Sequence, residues 1–264
     1  MTIRIDSCGA SHVGRVRRHN EDNIYLEGAF RRNIIADNAI LRGRRKGGPS
    51  TYAVFDGLGG ENGGEEASLI AAMGLYDAEK RGSVLDVATY IQVVNQAIIR
   101  AAELDNCHGM GTTVALAHID EDVAYISNVG DSRCYLLREG IIQLLTKDHS
   151  VVQSLIDYGI IGEDDRYTNK HTGELTQYIG MIADGDIEPE VYTASIRVKP
   201  GDILMLCSDG LTGELRDEEI RQVMMREAGK SSEHMVLELI KQTLDKGGRD
   251  NISVIVCRIE CEQE

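Results

Sequence analysis

Short runs of β-branched and apolar residues alternate along this chain with longer segments of helical period. Residues 52–55, 112–119, 123–129, 134–137, 203–207 and 252–259 read as strands. Apolar positions spaced three and four apart predict helices over 65–81, 84–104, 151–158, 217–226 and 234–244. Ser83, with Asp86 three residues on, resembles a capping box opening the second of these. Turn-like Gly, Asp and Glu residues between the short runs predict antiparallel hairpins. Residues 123–145 fit a meander turning at Gly130-Asp131 and at Arg138-Glu139-Gly140. The strands come in groups with helices interposed in pairs, which favours a layered α+β fold over a doubly wound parallel sheet. Two stretches lack a clear pattern. Residues 31–50 carry Arg31, Arg32, Arg42, Arg44, Arg45 and Lys46 among glycines and read as an exposed basic excursion, and residues 148–186 read as a loose, flap-like segment.

The 264 residues are 42% hydrophobic with no proline- or serine-rich linker, so one domain over 1–264 is expected. A net charge of −15 argues against nucleic acid as a partner, and an anionic substrate would need a cation between itself and this surface. The N-terminus lacks an apolar signal core and no uncharged run spans a bilayer, which predicts a soluble, cytoplasmic chain with no membrane partner. Six cysteines are scattered without a C-x-x-C pair. Cys134, Cys207 and Cys257 lie in apolar runs as small hydrophobes, while Cys8, Cys107 and Cys261 stand where solvent can reach them.

Acidic residues at strand ends change this picture. Asp56 follows Tyr-Ala-Val-Phe, Asp131 follows Ile-Ser-Asn-Val-Gly, Asp209 follows Leu-Met-Leu-Cys-Ser, and Asp250 precedes Asn-Ile-Ser-Val-Ile. Neighbouring antiparallel strands place such positions at one end of a sheet, where bare carboxylates repel one another and take up protons. Divalent cations relieve that conflict, and an all-oxygen donor set selects hard Mg2+, Mn2+ or Ca2+ over zinc. In VFDGLGGENGGE (54–65), Asp56-Gly57 alone fits a plain turn as well as a ligand unit in which glycine lets the backbone carbonyl approach a metal. The repetition at Asp209-Gly210 and Gly248-Arg249-Asp250 favours metal. A nucleotide cradle would need G-x-G-x-x-G or a Lys-Ser/Thr ending, and neither is present.

Seven motifs, in order, resemble the metal-dependent protein phosphatases of type 2C in their bacterial serine/threonine branch: residues 14–22 (GRVRRHNED), 54–60 (VFDGLGG), 109–113 (GMGTT), 128–133 (NVGDSR), 145–150 (LTKDHS), 207–212 (CSDGLT) and 247–252 (GGRDNI). The resemblance implies a central sandwich of two antiparallel sheets flanked by helices, with a metal pair in a channel at one end. Asp56 would bridge two Mn2+ or Mg2+ ions and orient a shared nucleophilic water, and Gly57 would ligate one ion through its carbonyl. Asp209 and Asp250 would hold the other ion. Glu21 and Asp22 match the acidic pair on the Gly57 side, and Asp131 with Asp209 matches a weaker third position. Arg17 matches the arginine that grips the substrate phosphate, with Arg15 and Arg18 as close neighbours that read as solvated surface residues.

By the same resemblance the reaction is hydrolysis of phosphoserine and phosphothreonine on proteins, without a covalent enzyme intermediate. Substrates of serine/threonine kinases would be the partners of a monomer. A silent, phosphoprotein-binding relative is the rival reading, and retention of every acidic position argues against it. Departures are Glu61-Asn62 where many bacterial members have histidine, Leu58 where animal members have one, and a lengthened interval between Asp22 and Thr51. The leaving group is thus left without an obvious proton donor, since His19 and His149 read as structural.

Overall fold

The computed structural model describes residues 3–33, 36–59, 63–81, 85–105, 109–181 and 188–261. In chain order the elements are β1 (Ile3–His12), β2 (Asn23–Leu26), β3 (Ala29–Phe30), β4 (Asn38–Lys46), β5 (Ser50–Phe55), β6 (Gly57–Leu58), α1 (Gly63–Lys80), α2 (Val87–Asp105), β7 (Gly111–Thr112), β8 (Val114–Asp120), β9 (Val123–Val129), β10 (Arg133–Arg138), β11 (Ile141–Leu144), α3 (Val151–Asp157), a 3-10 turn (Glu163–Tyr167), β12 (Tyr192–Arg197), β13 (Ile203–Cys207), α4 (Asp209–Thr212), α5 (Asp217–Glu227), α6 (Ser232–Lys246) and β14 (Ile252–Cys261).

Two six-stranded antiparallel sheets form the centre, one ordered β11-β10-β13-β14-β1-β4 and the other β12-β9-β8-β5-β2-β3. Between them lies an apolar layer containing Ile24, Val54, Ile126, Leu136, Leu206 and Ile255. A second layer seats α5 and α6 on the outside of the first sheet through Met224, Val236 and Leu239. A third seats α1 and α2 on the second sheet through Ala67, Ala71, Leu75 and Ile98. The result is the four-layer α-β-β-α arrangement that the motif resemblance implied. Strands buried on both faces read as continuous apolar runs, which is why β5, β8, β13 and β14 match their expected positions; β9 matches too, although Tyr125 is exposed. Among the described residues no helix is long and apolar enough to cross a membrane.

The helices also carry the expected local signals. Ser150 and Ser231 cap α3 and α6 by accepting the Gln153 and His234 amides. Ser83 lies outside the described residues, and Asp86 caps α2 itself, its Oδ1 accepting from the Thr89 amide at 3.2 Å.

Three expectations change. The 123–145 stretch is not one meander: β10 and β11 form a hairpin, but β9 belongs to the other sheet. The Gly130-Asp131 turn, with Gly130 at φ +96°, therefore crosses between the two sheets. Residues 38–46 of the basic segment are not a loop but the outer strand β4, paired along its length with β1. At the head of that segment Arg31 is buried, donating to the carbonyls of Asn20 at 2.6 Å and Ala36 at 2.9 Å. Cys8 is buried beside Ala10, whereas Cys261 is exposed and Cys107 lies outside the described residues.

Candidate metal centre

β5 ends at Phe55 in one sheet, β13 ends at Cys207 in the other, and β14 starts at Ile252 beside β13. Asp56, Asp209 and Asp250 thus leave neighbouring strand ends, and the inter-sheet turn adds Asp131. Two glycines allow the close approach. A Cβ on Gly210 would lie 1.9 Å from the Asn251 carbonyl oxygen, which is how the Asp209 and Asp250 segments come together. A Cβ on Gly57 would lie 2.2 Å from the Gly64 carbonyl oxygen and 2.4 Å from that of Glu21. The glycine after Asp56 therefore lets the start of α1 and the Glu21 backbone close on the site.

Together these residues line a cavity of about 500 Å3 whose walls include Arg17, Glu21, Asp56, Gly57, Asp131, Asp209 and Asp250. Gly173 and Leu175, from the 148–186 segment, close one side, while residues 182–186 lie outside the described residues. Arg18 and His19 also reach the wall, so Arg18 is not simply a surface arginine. Arg15 is, facing Asp245 at 3.7 Å. His149 is structural, its Nδ1 accepting from the Gly130 amide at 3.2 Å. Leu58 lines the cavity; Glu61 and Asn62 lie outside the described residues.

Asp22 is placed differently from the rest. It lies fully buried behind the cavity wall, with Oδ2 accepting from the Ser208 hydroxyl at 2.8 Å and Oδ1 without a hydrogen-bond partner. Sequence reading also left several supports unassigned. Asn251 accepts the Glu21 amide at 2.9 Å and donates to the carbonyls of Val13 at 2.9 Å and His19 at 3.0 Å, so it shapes the loop carrying Arg17 and Glu21. Thr113 Oγ1 accepts the Asp56 amide at 3.1 Å and Thr112 Oγ1 donates to the Asp56 carbonyl at 2.9 Å, which gives the 109–113 motif a physical role. Glu65, in the first turn of α1, is buried with Oε2 unpartnered, and no period or motif marks it.

Crowding dominates the electrostatics. Burial, then the charges of Asp22, Asp209, Asp131 and Asp250, push the Asp56 carboxyl well above the ordinary carboxylate range. Asp131 and Asp22 are raised by burial first and neighbouring aspartates after it. Asp209 is raised by burial and by Asp250, and a hydrogen bond with the Asp56 carboxyl offsets part of this. Glu21 is raised by burial and by Glu65. Arg17 is a cation within reach, its Nη2 donating to Asp250 Oδ2 at 2.7 Å, and Arg133 offsets part of the rise at Asp131 and Asp209.

As arranged, no three His, Cys, Asp or Glu side chains among the described residues already enclose an ion. The donor chemistry nonetheless fits hard divalent cations. All the acids are oxygen donors, one buried Asp22 oxygen has no partner, and the glycine at 57 keeps its carbonyl free of side-chain bulk.

These raised carboxylates set a pH dependence. Their folded pKa values exceed the unfolded ones of about 4, so without a cation the fold loses stability as pH rises through the folded values. Half-buried His12, His118 and His149, whose pKa values desolvation lowers, act in the opposite sense but at lower pH. In EDTA the melting midpoint is expected to be higher at about pH 6 than at about pH 8, a range that brackets the Asp22 carboxyl pushed up to about 7, and saturating Mn2+ should reverse that slope, because protons compete for the same oxygens. Equal slopes with and without Mn2+ would contradict the clustered-acid description.

Comparison with known proteins agrees with this architecture. A family model described as protein phosphatase 2C matches residues 28–245. The serine/threonine phosphatase stp of Listeria monocytogenes is 32% identical over 260 residues, covering 95% of this chain and 94% of its own. The serine/threonine protein phosphatase PstP of Mycobacterium tuberculosis is 30% identical over 98% of this chain, which corresponds to 46% of that longer protein. A crystal structure of the Mycobacterium tuberculosis phosphatase PstP/Ppp superposes with a TM-score of 0.80 at 27% identity, covering 99% of this chain and all of that one. Another structure, the catalytic domain of PstP with 2 manganese ions, gives 0.77 at 27% identity over 98% of this chain. Motif order, the two-sheet sandwich and the sequence match over most of the chain converge on one assignment: this chain belongs to the protein phosphatase 2C family.

Proposed function

We propose that this protein is a single-domain phosphatase that hydrolyses phosphoserine and phosphothreonine on proteins, with two divalent cations held at the carboxylate cavity. The observation that carries this is the convergence of Asp56, Asp131, Asp209 and Asp250 from both sheets on one cavity with Arg17 at its wall. Asp56, the Gly57 carbonyl, Glu21, Asp22, Asp209 and Asp250 would hold the pair, and Asp131 with Asp209 a weaker third ion. Bound there, Mn2+ or Mg2+ would supply the positive charge that a phosphate dianion needs near so acidic a protein and would lower the pKa of a water for attack at phosphorus.

The chain's own groups complete the chemistry. Arg17 offers planar paired donors suited to two phosphate oxygens, and it exchanges its Asp250 contact for them when substrate arrives. Asn251 and Arg31 fix the backbone on which Arg17, Glu21 and Asp22 are carried. The wall around Asp56 is made largely of acids, glycines and basic side chains, while Ser150, Thr172 and Thr212 line the adjoining space beyond Asp131, Asp209 and Asp250. Burial holds the Cys207 thiol protonated, away from the wall.

The test is hydrolysis of p-nitrophenyl phosphate and of a phosphothreonine peptide. Both are expected to require Mn2+ or Mg2+, to stop with EDTA and to resume when metal is restored. Undiminished turnover in metal-free buffer would overturn the proposal.

A further inference from the structure

β4 is nine residues long and is the outer strand of its sheet, in unbroken register with β1 from His12 opposite Asn38 to Arg4 opposite Lys46. Just beyond it, Gly47 donates its amide to the Ile3 carbonyl. Residues in an antiparallel ladder bond alternately to one side and the other. Counting back from Gly47, it is therefore Arg45, Gly43, Leu41 and Ala39 that bond β1. The N–H and C=O groups of Ile40, Arg42 and Arg44 point to the free side, where no strand pairs among the described residues.

The side chains of the same three residues are exposed. Arg42 donates through Nε to Glu233 of α6 at 2.7 Å, and Arg44 stands 4.0 Å from Asp6. Exposed ion pairs of this kind are weak and screened by salt, so an arriving carboxylate can take their place. Other sheet edges are shorter: β12 has six residues, β11 four and β3 two. A long, straight edge is a pairing template, and its charge decides what pairs with it. A second copy of β4 would set arginine against arginine, whereas an acidic strand meets the opposite sign. The strand also starts beside the candidate site: Asn38 Oδ1 accepts from the amide of Val13 at 3.1 Å, in the loop that leads to Arg17.

We propose that the free edge of β4 docks an extended acidic segment of a phosphoprotein substrate, which adds to the sheet as a seventh strand with Asp or Glu side chains over Arg42 and Arg44. This rests on the phosphatase reading for the identity of the occupant; the strand pairing itself does not. Backbone bonds to Ile40, Arg42 and Arg44 supply affinity, and the two guanidinium groups select acidic over neutral sequence.

The test uses the full-length, Mn2+-loaded protein and a fluorescein-labelled, unphosphorylated peptide of alternating Glu and Val, followed by anisotropy. Comparison peptides carry N-methyl groups on alternate amides, in each of the two registers, or replace Glu by Ser. Binding is expected to weaken about tenfold or more for one N-methyl register, for the Ser peptide and for the Arg42→Ser/Arg44→Ser variant. A phosphothreonine peptide joined to the acidic tail by a Gly-Ser linker should show a several-fold lower KM than one with the Ser tail. That difference should vanish in the same variant, while p-nitrophenyl phosphate turnover stays unchanged. Equal binding of the unmodified and both N-methylated acidic peptides, or no binding of the acidic peptide, would overturn edge pairing. Loss of p-nitrophenyl phosphate turnover in the unaltered protein would instead count against the phosphatase reading and leave the anisotropy result to judge the edge.

Discussion

Asp209→Asn and Asp250→Asn are each expected to lower turnover of p-nitrophenyl phosphate by about three orders of magnitude while the protein stays folded. Both side chains line the cavity, and each would lose the charge with which, in the proposed site, it would hold a cation. A positioned cation contributes several kcal/mol to a phosphoryl-transfer transition state, and about 4 kcal/mol corresponds to roughly a thousandfold. Asparagine preserves volume, so packing near Gly210 and Asn251 is undisturbed. A second readout separates lost chemistry from lost fold. Because Asp209 is raised by burial and by Asp250, removing its charge relieves repulsion, and in EDTA Asp209→Asn should melt no lower than the unaltered protein. A folded Asp209→Asn protein with activity within tenfold of the parent would remove this residue from the proposed metal set.

Saturating Mn2+ is expected to raise the melting midpoint by about 5 to 10 °C. A ligand at a hundred times its Kd stabilises the folded state by roughly 2.7 kcal/mol, and chains of this size shift about 2 to 4 °C per kcal/mol. The cluster that repels itself in the folded protein is dispersed in the unfolded one, so the cation acts almost wholly on the folded side. Asp209→Asn should lose most of the rise. An unchanged midpoint at a Mn2+ concentration that gives full activity would show that the acids are not crowded enough to respond.

How much of this was legible in the sequence follows from what each residue contacts. β13 and the first six residues of β14 were readable because both of their faces are buried and every position is apolar or small. β1 was not, since Asp6, Ser7 and Gly9 interrupt its apolar pattern while it gains its place by pairing on both sides with strands distant in sequence. β4 reads in the sequence as a basic excursion because its exposed face carries arginines, and nothing local says that charged residues lie on a sheet edge. The meander failed at Gly130, since a tight turn looks the same whether the next strand joins its own sheet or the opposite one. The four aspartates were legible because each sits at an end of a buried run, Asp56, Asp131 and Asp209 where one stops and Asp250 where one starts. Arg31, Asn251 and Glu65 were not, because what they do depends on partners brought near only by folding. Asp22 could be placed with the acids by its motif, but its position behind the cavity wall depends on Ser208, far along the chain.

β14 lies in the middle of the first sheet, between β13 and β1, so the strand made of residues 252–261 joins one formed near the beginning of the chain to one formed late. During synthesis β1 must wait, with its β14-facing edge unsatisfied, until nearly all the intervening residues have been made. Asp250 reaches its place only when β14 inserts. A nascent or truncated chain would therefore hold Asp56 and its loop without the opposing half of the cavity, and activity would appear abruptly with the insertion of that central strand.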